Sequence, residues 1–201
     1  MTLKKRRRQE AILLSLKKLD YLTREQIQIL HDLKSDRNAQ RVLQEMRDYI
    51  DSFNQSQGKR VYYLNKKGRA CVDSDKIRVK ITTVEHYLMR NDLYIMLGKP
   101  KEWRNEIRIR SGEGKQEIVV VADAHYEKDN RHYIIEIDHT QKMNKNRTKV
   151  RKYRDLIQRG VFGQHMPKIM WVTISEYRRR LLLDLCEGLD VDVFLPSEIK
   201  P

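Results

Sequence analysis

Residues 118–138 read IVVVADAHYEKDNRHYIIEID. Ile118 to Ala122 is a continuous, mostly β-branched run and Tyr133 to Ile137 is another, each the length of one strand and bounded by polar residues. Asp123 closes the first run. Glu136 and Asp138 stand two apart on the second, so their side chains point the same way. Joined as an antiparallel hairpin, the two strands bring all three carboxylates to one edge of a sheet. Carboxylates crowded together repel one another unless a cation joins them, and oxygen ligands suit Mg²⁺ or Mn²⁺. An ion held there can activate a water and neutralise charge on a phosphodiester.

Outward from this hairpin, Trp103 to Arg110 alternates, with Ile107 and Ile109 set against Arg104, Glu106, Arg108 and Arg110. Lys168 to Ile174 and Val191 to Leu195 read as two further strands. Helices are predicted at about 144–159 and 176–187. Upstream, Val84, Tyr87, Leu88, Leu93, Tyr94 and Leu97 recur at helical spacing until Gly98-Lys99-Pro100 stops them. The order helix, three strands, helix, strand, helix, strand predicts a mixed sheet with helices packed on it. On the helix after Asp138, Lys142, Lys145, Lys149 and Lys152 form a stripe at i, i+3, i+7 and i+10.

The first third reads differently. Ile12, Leu16 and Leu19 mark one face of a helix, and Thr23 with Gln26 forms a capping box before Ile27 and Leu30. After Lys34-Ser35-Asp36, a third helix gathers Ala39, Leu43, Met46 and Ile50 on a narrow apolar arc. Arg37, Gln40, Arg41 and Gln44 lie opposite, long and rich in donors, as an element entering the major groove requires. A hairpin follows, from Tyr49–Phe53 through a turn at Gln57-Gly58-Lys59-Arg60 to Val61–Leu64, its tip bearing Lys59 and Arg60. Lys4, Lys5, Arg6, Arg7 and Arg8 read as a flexible basic arm able to follow phosphates. The polar stretch Ser74 to Lys80 reads as a linker, giving domains at 1–75 and 80–201.

Charge supports a polyanionic partner. The 201 residues hold 42 Lys and Arg against 28 Asp and Glu, a net +14. Residues 1–70 hold 17 of those bases against 8 acids, so most of the excess lies in the first third. No run of 18 apolar residues exists and the N-terminus lacks the apolar core of a signal peptide, which argues against membrane partners. Two cysteines without metal-ligand spacing predict reduced thiols and a cytoplasmic location. His86, His125, His132 and His139 are too scattered for a zinc signature. No glycine-rich phosphate loop is present, which argues against ATP-driven chemistry. Tyr153 is expected to pack in the core beside Val150 and Ile157.

Three helices and a basic-tipped hairpin leaving through Tyr63-Leu64-Asn65-Lys66-Lys67-Gly68-Arg69 resemble a winged helix. Residues 80–198, with Asp123, Glu136 and a nearby lysine, resemble the restriction-endonuclease-like superfamily with its PD-(D/E)xK motif. Asp138 stands where that motif has lysine, and Lys149 or Lys152 on the next helix would take the lysine's part. The chain as a whole resembles the replication-relaxation family of plasmids and other mobile elements. This resemblance rests on Glu85-His86-Tyr87 to Asn91-Asp92-Leu93, Asp123, Glu136-Ile137-Asp138-His139-Thr140 and Lys149 to Tyr153. It implies duplex DNA as partner in replication, relaxation or mobilisation; replication or relaxase proteins and a homodimer are further expected associations. Two functional classes follow: a DNA-binding protein, and a Mg²⁺- or Mn²⁺-dependent endonuclease with Asp123, Glu136 and Asp138 as ligands and Lys149 or Lys152 on the scissile phosphate. A third, a repressor with a ligand-sensing domain, would require an apolar pocket.

Overall fold

Lysine and arginine are good helix formers, and residues 2–19 contain neither glycine nor proline. The first helix, α1, therefore spans Leu3–Leu19. Lys4, Lys5, Arg6, Arg7 and Arg8 form its opening turns, which corrects the expectation of a flexible arm. The computed structural model describes residues 2–55 and 58–200. They form two units, one running to Ile95 and the other comprising Met96–Lys200.

In the first unit α1 buries Ile12, Leu13, Leu16 and Leu19 and ends at Asp20, whose φ of 71° turns the chain into β1 (Leu22–Thr23). The capping box forms as the sequence predicts. Thr23 Oγ1 accepts from Gln26 N at 3.1 Å and Gln26 Oε1 accepts from Thr23 N at 3.0 Å, starting α2 (Arg24–Leu30). Ser35 caps α3 (Asp36–Glu45), which buries Ala39, Val42 and Leu43. The strands β2 (Ile50–Asn54) and β3 (Arg60–Leu64) pair from Ile50↔Leu64 to Asn54↔Arg60, and β1 joins the other side of β3. Gln57 of the expected turn, with Ser56, lies outside the described residues. Asn65 caps the short α4 (Lys66–Cys71) by accepting from Gly68 N at 2.9 Å.

The next helix, α5 (Val84–Met96), falls almost wholly within the first unit, although helical spacing alone groups it with the strands after it. Val84 and Leu88 pack against Tyr21 and Val61, and polar bonds add to this fastening. Arg90, 1% exposed, donates to Asp20 Oδ2 at 3.0 Å and to the Leu19 carbonyl at 3.2 Å. Asn91 donates to the Leu19 and Tyr21 carbonyls at 3.0 and 2.7 Å, and Gln26 donates to the Leu88 carbonyl and to Asp92. The expected linker is likewise pinned to this unit. Arg78 grips Asp20 at 2.7 Å and the Val79 carbonyl accepts from Tyr21 OH at 2.7 Å.

The second unit is a five-stranded mixed sheet of order β4-β5-β6-β7-β8, comprising Arg104–Ser111, Ile118–Lys128, Arg131–Asp138, Lys168–Thr173 and Val191–Phe194. The first three strands are antiparallel neighbours, and β6, β7 and β8 run parallel. Parallel neighbours need crossovers. These are supplied by α6 (Met143–Gln158) and α7 (Glu176–Leu185); α8 (Pro196–Ile199) follows the last strand. Val150, Tyr153 and Leu156 of α6 and Leu182 of α7 share a core with Val120, Ala122, Ile134, Ile169 and Trp171 of the sheet. Asp129 and Asn130 both have positive φ, as a two-residue primed turn between β5 and β6 requires.

Gly68 fixes how α4 seats in the first unit, since a Cβ there would lie 2.0 Å from the Tyr49 carbonyl oxygen. Gly68→Ala is expected to destabilise the chain by about 1–3 kcal/mol, as overpacking usually does. The check is the urea midpoint, and an unchanged midpoint would contradict the close approach.

Candidate functional site

Burying one face of α3 leaves the other to solvent. Arg37, Gln40, Arg41 and Gln44 are all exposed and, with Ser35 and Asn38, line one open groove along the helix. Arg41 is steadied by Asn38 Oδ1 at 2.8 Å and Glu45 at 3.3 Å. Glu45 also takes Lys5 Nζ at 3.1 Å, which brings the basic start of α1 to the C-terminal end of α3. Lys4, Arg6 and Arg7 are exposed, while Lys5 and Arg8 are half-buried. At the hairpin, Lys59 and Arg60 are exposed and line a second groove with Thr23, Arg24 and Glu25.

In the second unit the carboxylates diverge in their surroundings. Asp123 sits within the eleven-residue β5 rather than at its end, because the strand continues through Ala124, His125 and Tyr126, all buried. Its Oδ2 accepts from Ile137 N at 2.7 Å. The ladder between β4 and β5 pairs Asn105 with Ala124 and Ile107 with Ala122, and skips Glu106 opposite Asp123. Glu106 has φ 53°, a conformation that costs a non-glycine residue on the order of 1–2 kcal/mol. Backbone strain of this kind clusters at functional sites.

Glu136 and Asp138 lie on β6, the middle strand, and both turn toward α6 as their two-residue spacing predicts. Glu136 is fully buried. Its carboxyl accepts from Lys149 Nζ and from the Tyr153 hydroxyl. Burial, reinforced by the charge of Asp123 and only partly offset by Lys149 and Tyr153, pushes its pKa up to about 8. The same burial and the Glu136 carboxyl raise Tyr153 well above the usual phenol range. Asp138 is also fully buried but meets the opposite fate. Arg178 of α7 grips it with Nε at 2.7 Å and Nη2 at 2.6 Å, Asn146 donates at 2.8 Å and Thr173 at 2.8 Å. Burial alone would raise this carboxyl, yet these donors more than compensate and hold it below the ordinary range.

Of the residues singled out by sequence, Asp123, Glu136 and Lys149 are therefore brought together. Asp138 is engaged by Arg178, and Lys152 donates to the Val119 carbonyl at 2.8 Å. Among the described residues no group of three His, Cys, Asp or Glu side chains could hold a metal ion. Arg178 and Thr173 escaped the sequence reading, since nothing local marks a partner 40 or 35 residues away, and Asn146, eight residues beyond Asp138, did as well. The histidines are less scattered than their numbers suggest. His125 Nε2 and His132 Nδ1 lie 2.9 Å apart across the hairpin, and burial with the neighbouring His132 and Arg104 lowers His125 to about 4.

A family model described as replication-relaxation matches residues 13–170, and the chain belongs to that family. No curated protein matches it. Among solved structures, the crystal structure of protein VC1899 from Vibrio cholerae is similar at 14% identity and a TM-score of 0.43. That match covers 96% of this chain and 49% of the other, so the chain spans about half the length of the Vibrio protein. No helix among the described residues is long and apolar enough to cross a membrane.

Glu136 predicts a pH dependence. Folded, it keeps its proton to about pH 8, whereas its ordinary value is 4.5. Between those values the folded state binds more protons than the unfolded, so the stability Glu136 contributes is complete below 4.5 and is lost as pH rises toward 8. Asp92, raised by burial to about 6, and His125 titrate lower, leaving about pH 6.5–8 to Glu136. Stability should fall there by up to about 1.4 kcal/mol per pH unit, and Glu136→Gln should flatten the fall. Denaturant melts across this window on both proteins decide it, and parallel curves would contradict the assignment.

Proposed function

We propose that this protein is a sequence-selective duplex DNA-binding protein acting in the replication, relaxation or mobilisation of a plasmid, phage or other mobile element. The observation that carries the reading is α3, whose Arg37, Gln40, Arg41 and Gln44 stand exposed along one groove while its apolar face is buried. Arginine and glutamine offer the paired donors and acceptors that discriminate base edges in the major groove. In this reading the first unit is a winged helix with α3 as recognition helix. Lys59 and Arg60 on the hairpin, and Lys4 to Arg8 at the start of α1, contact phosphates. Membership of the replication-relaxation family supports the setting.

A second reading, a Mg²⁺- or Mn²⁺-dependent endonuclease on a restriction-type fold, is favoured by one observation: Lys149 reaches Glu136 beside Asp123. Two carboxylates suit a hard divalent ion that keeps several waters. When bound, such an ion would supply charge neutralisation and an activated water at a phosphodiester. Asp123 and Glu136 would hold it and Lys149 would face the phosphate. Asp138 is excluded from the ligand set by its four hydrogen bonds to Arg178, Asn146 and Thr173. The reading ranks second because Glu136 is fully buried and hydrogen-bonded by Tyr153.

Binding-site selection followed by titration tests the first reading. Arg37→Ala with Arg41→Ala should abolish preference for the selected site, each lost base contact costing about 1–3 kcal/mol of discrimination. Lys59→Ala should weaken binding to all sequences about equally. Retained preference in the α3 double variant defeats the proposal. Supercoiled plasmid incubated with the purified chain and Mg²⁺ or Mn²⁺ should stay intact. Nicking that disappears in Asp123→Ala would establish the second reading in place of a binding-only role.

A further inference from the structure

Helix α6 carries six lysines and arginines and a single acid, Asp155. The fold divides these bases into two sets. Lys149 faces Glu136, Lys152 donates to the Val119 carbonyl, and Arg154 donates to the Leu185 and Glu187 carbonyls. Those three serve the unit itself. Lys145, Arg147 and Arg151 remain exposed, as does Lys142 just before the helix, and among the described residues none of the four has a hydrogen-bonding or ionic side-chain partner. Arg147 and Arg151 stand one turn apart, about 6 Å along the axis, with Asn144 and Thr148 on the same face.

An ordinary solvated helix face mixes charges of opposite sign at i, i+4, because like charges at that spacing destabilise a helix. This face sets the like charges Arg147 and Arg151 at that spacing and holds a single opposite charge. Asp155, one turn beyond Arg151, makes no ion pair with it within 4 Å, and no large hydrophobic side chain is exposed anywhere on α6. A helix that lies on a membrane needs an apolar face at the surface, so the chemistry favours a phosphodiester backbone over lipid headgroups. We infer that the outer face of α6, through Arg147 and Arg151 with Asn144 and Thr148 beside them, is a phosphate-contact surface for duplex DNA, distinct from α3. This rests on the DNA-binding reading above and extends it to the second unit. Duplex carries one negative charge per roughly 1.7 Å of axis, so neighbouring bases on the helix each meet a phosphate without regard to sequence.

The test is the salt dependence of duplex binding by the full chain carrying Arg147→Gln and Arg151→Gln. The slope of log K against log salt concentration should shrink by about 1.8, the release from two phosphate contacts, while preference for the selected site is kept. Lys99→Gln with Lys101→Gln, both exposed in the loop before β4, should leave the slope as it is. An unchanged slope in the α6 variant, or an equal loss in the control, overturns the inference while the α3 reading stands. Loss of binding to phosphatidylserine vesicles with the DNA slope intact overturns it in favour of a membrane. A parent chain that fails to hold duplex at low ionic strength overturns both.

Discussion

Two carboxyl groups buried on the middle strand of the second unit govern what surrounds them. An isolated ionised carboxylate in a protein interior is too costly to survive, so each must be neutralised or fully hydrogen-bonded. Asp138 keeps its charge because Arg178, Asn146 and Thr173 occupy its oxygens. Glu136 takes the other course, holding a proton to about pH 8 beneath Lys149 and Tyr153. Asn146, Lys149 and Tyr153 recur at i, i+3 and i+7, so satisfying both carboxyls sets the rotation of α6 about its axis. Arg178 does the same for the first turn of α7 and, through the Gln141 carbonyl at 2.7 Å, fastens the loop between β6 and α6. The face of α6 left outside follows from what has to be inside.

The first unit contains a parallel case. Asp20, 2% exposed, ends α1 in a left-handed turn and draws Arg78 and Arg90 onto its carboxylate. A buried ion pair adds little net stability over a well-packed apolar alternative, but removing one member strands the other. Its consequence here is positional. Together with Asn91 it ties α5 to the turn after α1, while Gln26 ties it to the capping box of α2. The outer face of α3 takes no part in these bonds, and its long side chains remain available to a partner.

Features written in short-range pattern were legible. The capping box at Thr23 and Gln26, the alternation of β4, the runs of β5 and β6 and the two-sided character of α3 each depend on neighbours a few residues away. Features set by distant partners were not. A run of basic residues reads equally as arm or helix until the apolar face of α1 is placed. The spacing of α5 shows a helix but not the surface it packs on, which depends on Asp20, some 70 residues earlier. Asp138 could be seen to face the same way as Glu136, yet its removal from a shared cluster follows from Arg178, 40 residues later. The four-lysine stripe divides in the structure, since Lys149 and Lys152 turn inward while Lys142 and Lys145 stay exposed, and Arg147 and Arg151 add exposed charge that the lysine spacing did not mark.

The distribution of positive charge is the reason the binding reading is proposed ahead of the catalytic one. A catalytic lysine must face a phosphate that enters from solvent, and a metal-binding carboxylate must offer a free oxygen to the ion. Lys149 meets the first requirement only if Glu136 is reachable, and Glu136 has both oxygens occupied and no exposed surface. Glu106 is strained opposite Asp123, but Glu136 beside it is buried and hydrogen-bonded within the core. Elsewhere the excess of bases behaves oppositely. Arg37 on α3, Lys59 on the hairpin and Arg147 and Arg151 on α6 are directed to solvent. Groups that catalyse are usually few and sheltered, whereas groups that grip a backbone are many and exposed, and it is the exposed arrangement of these bases that supports the proposed binding role.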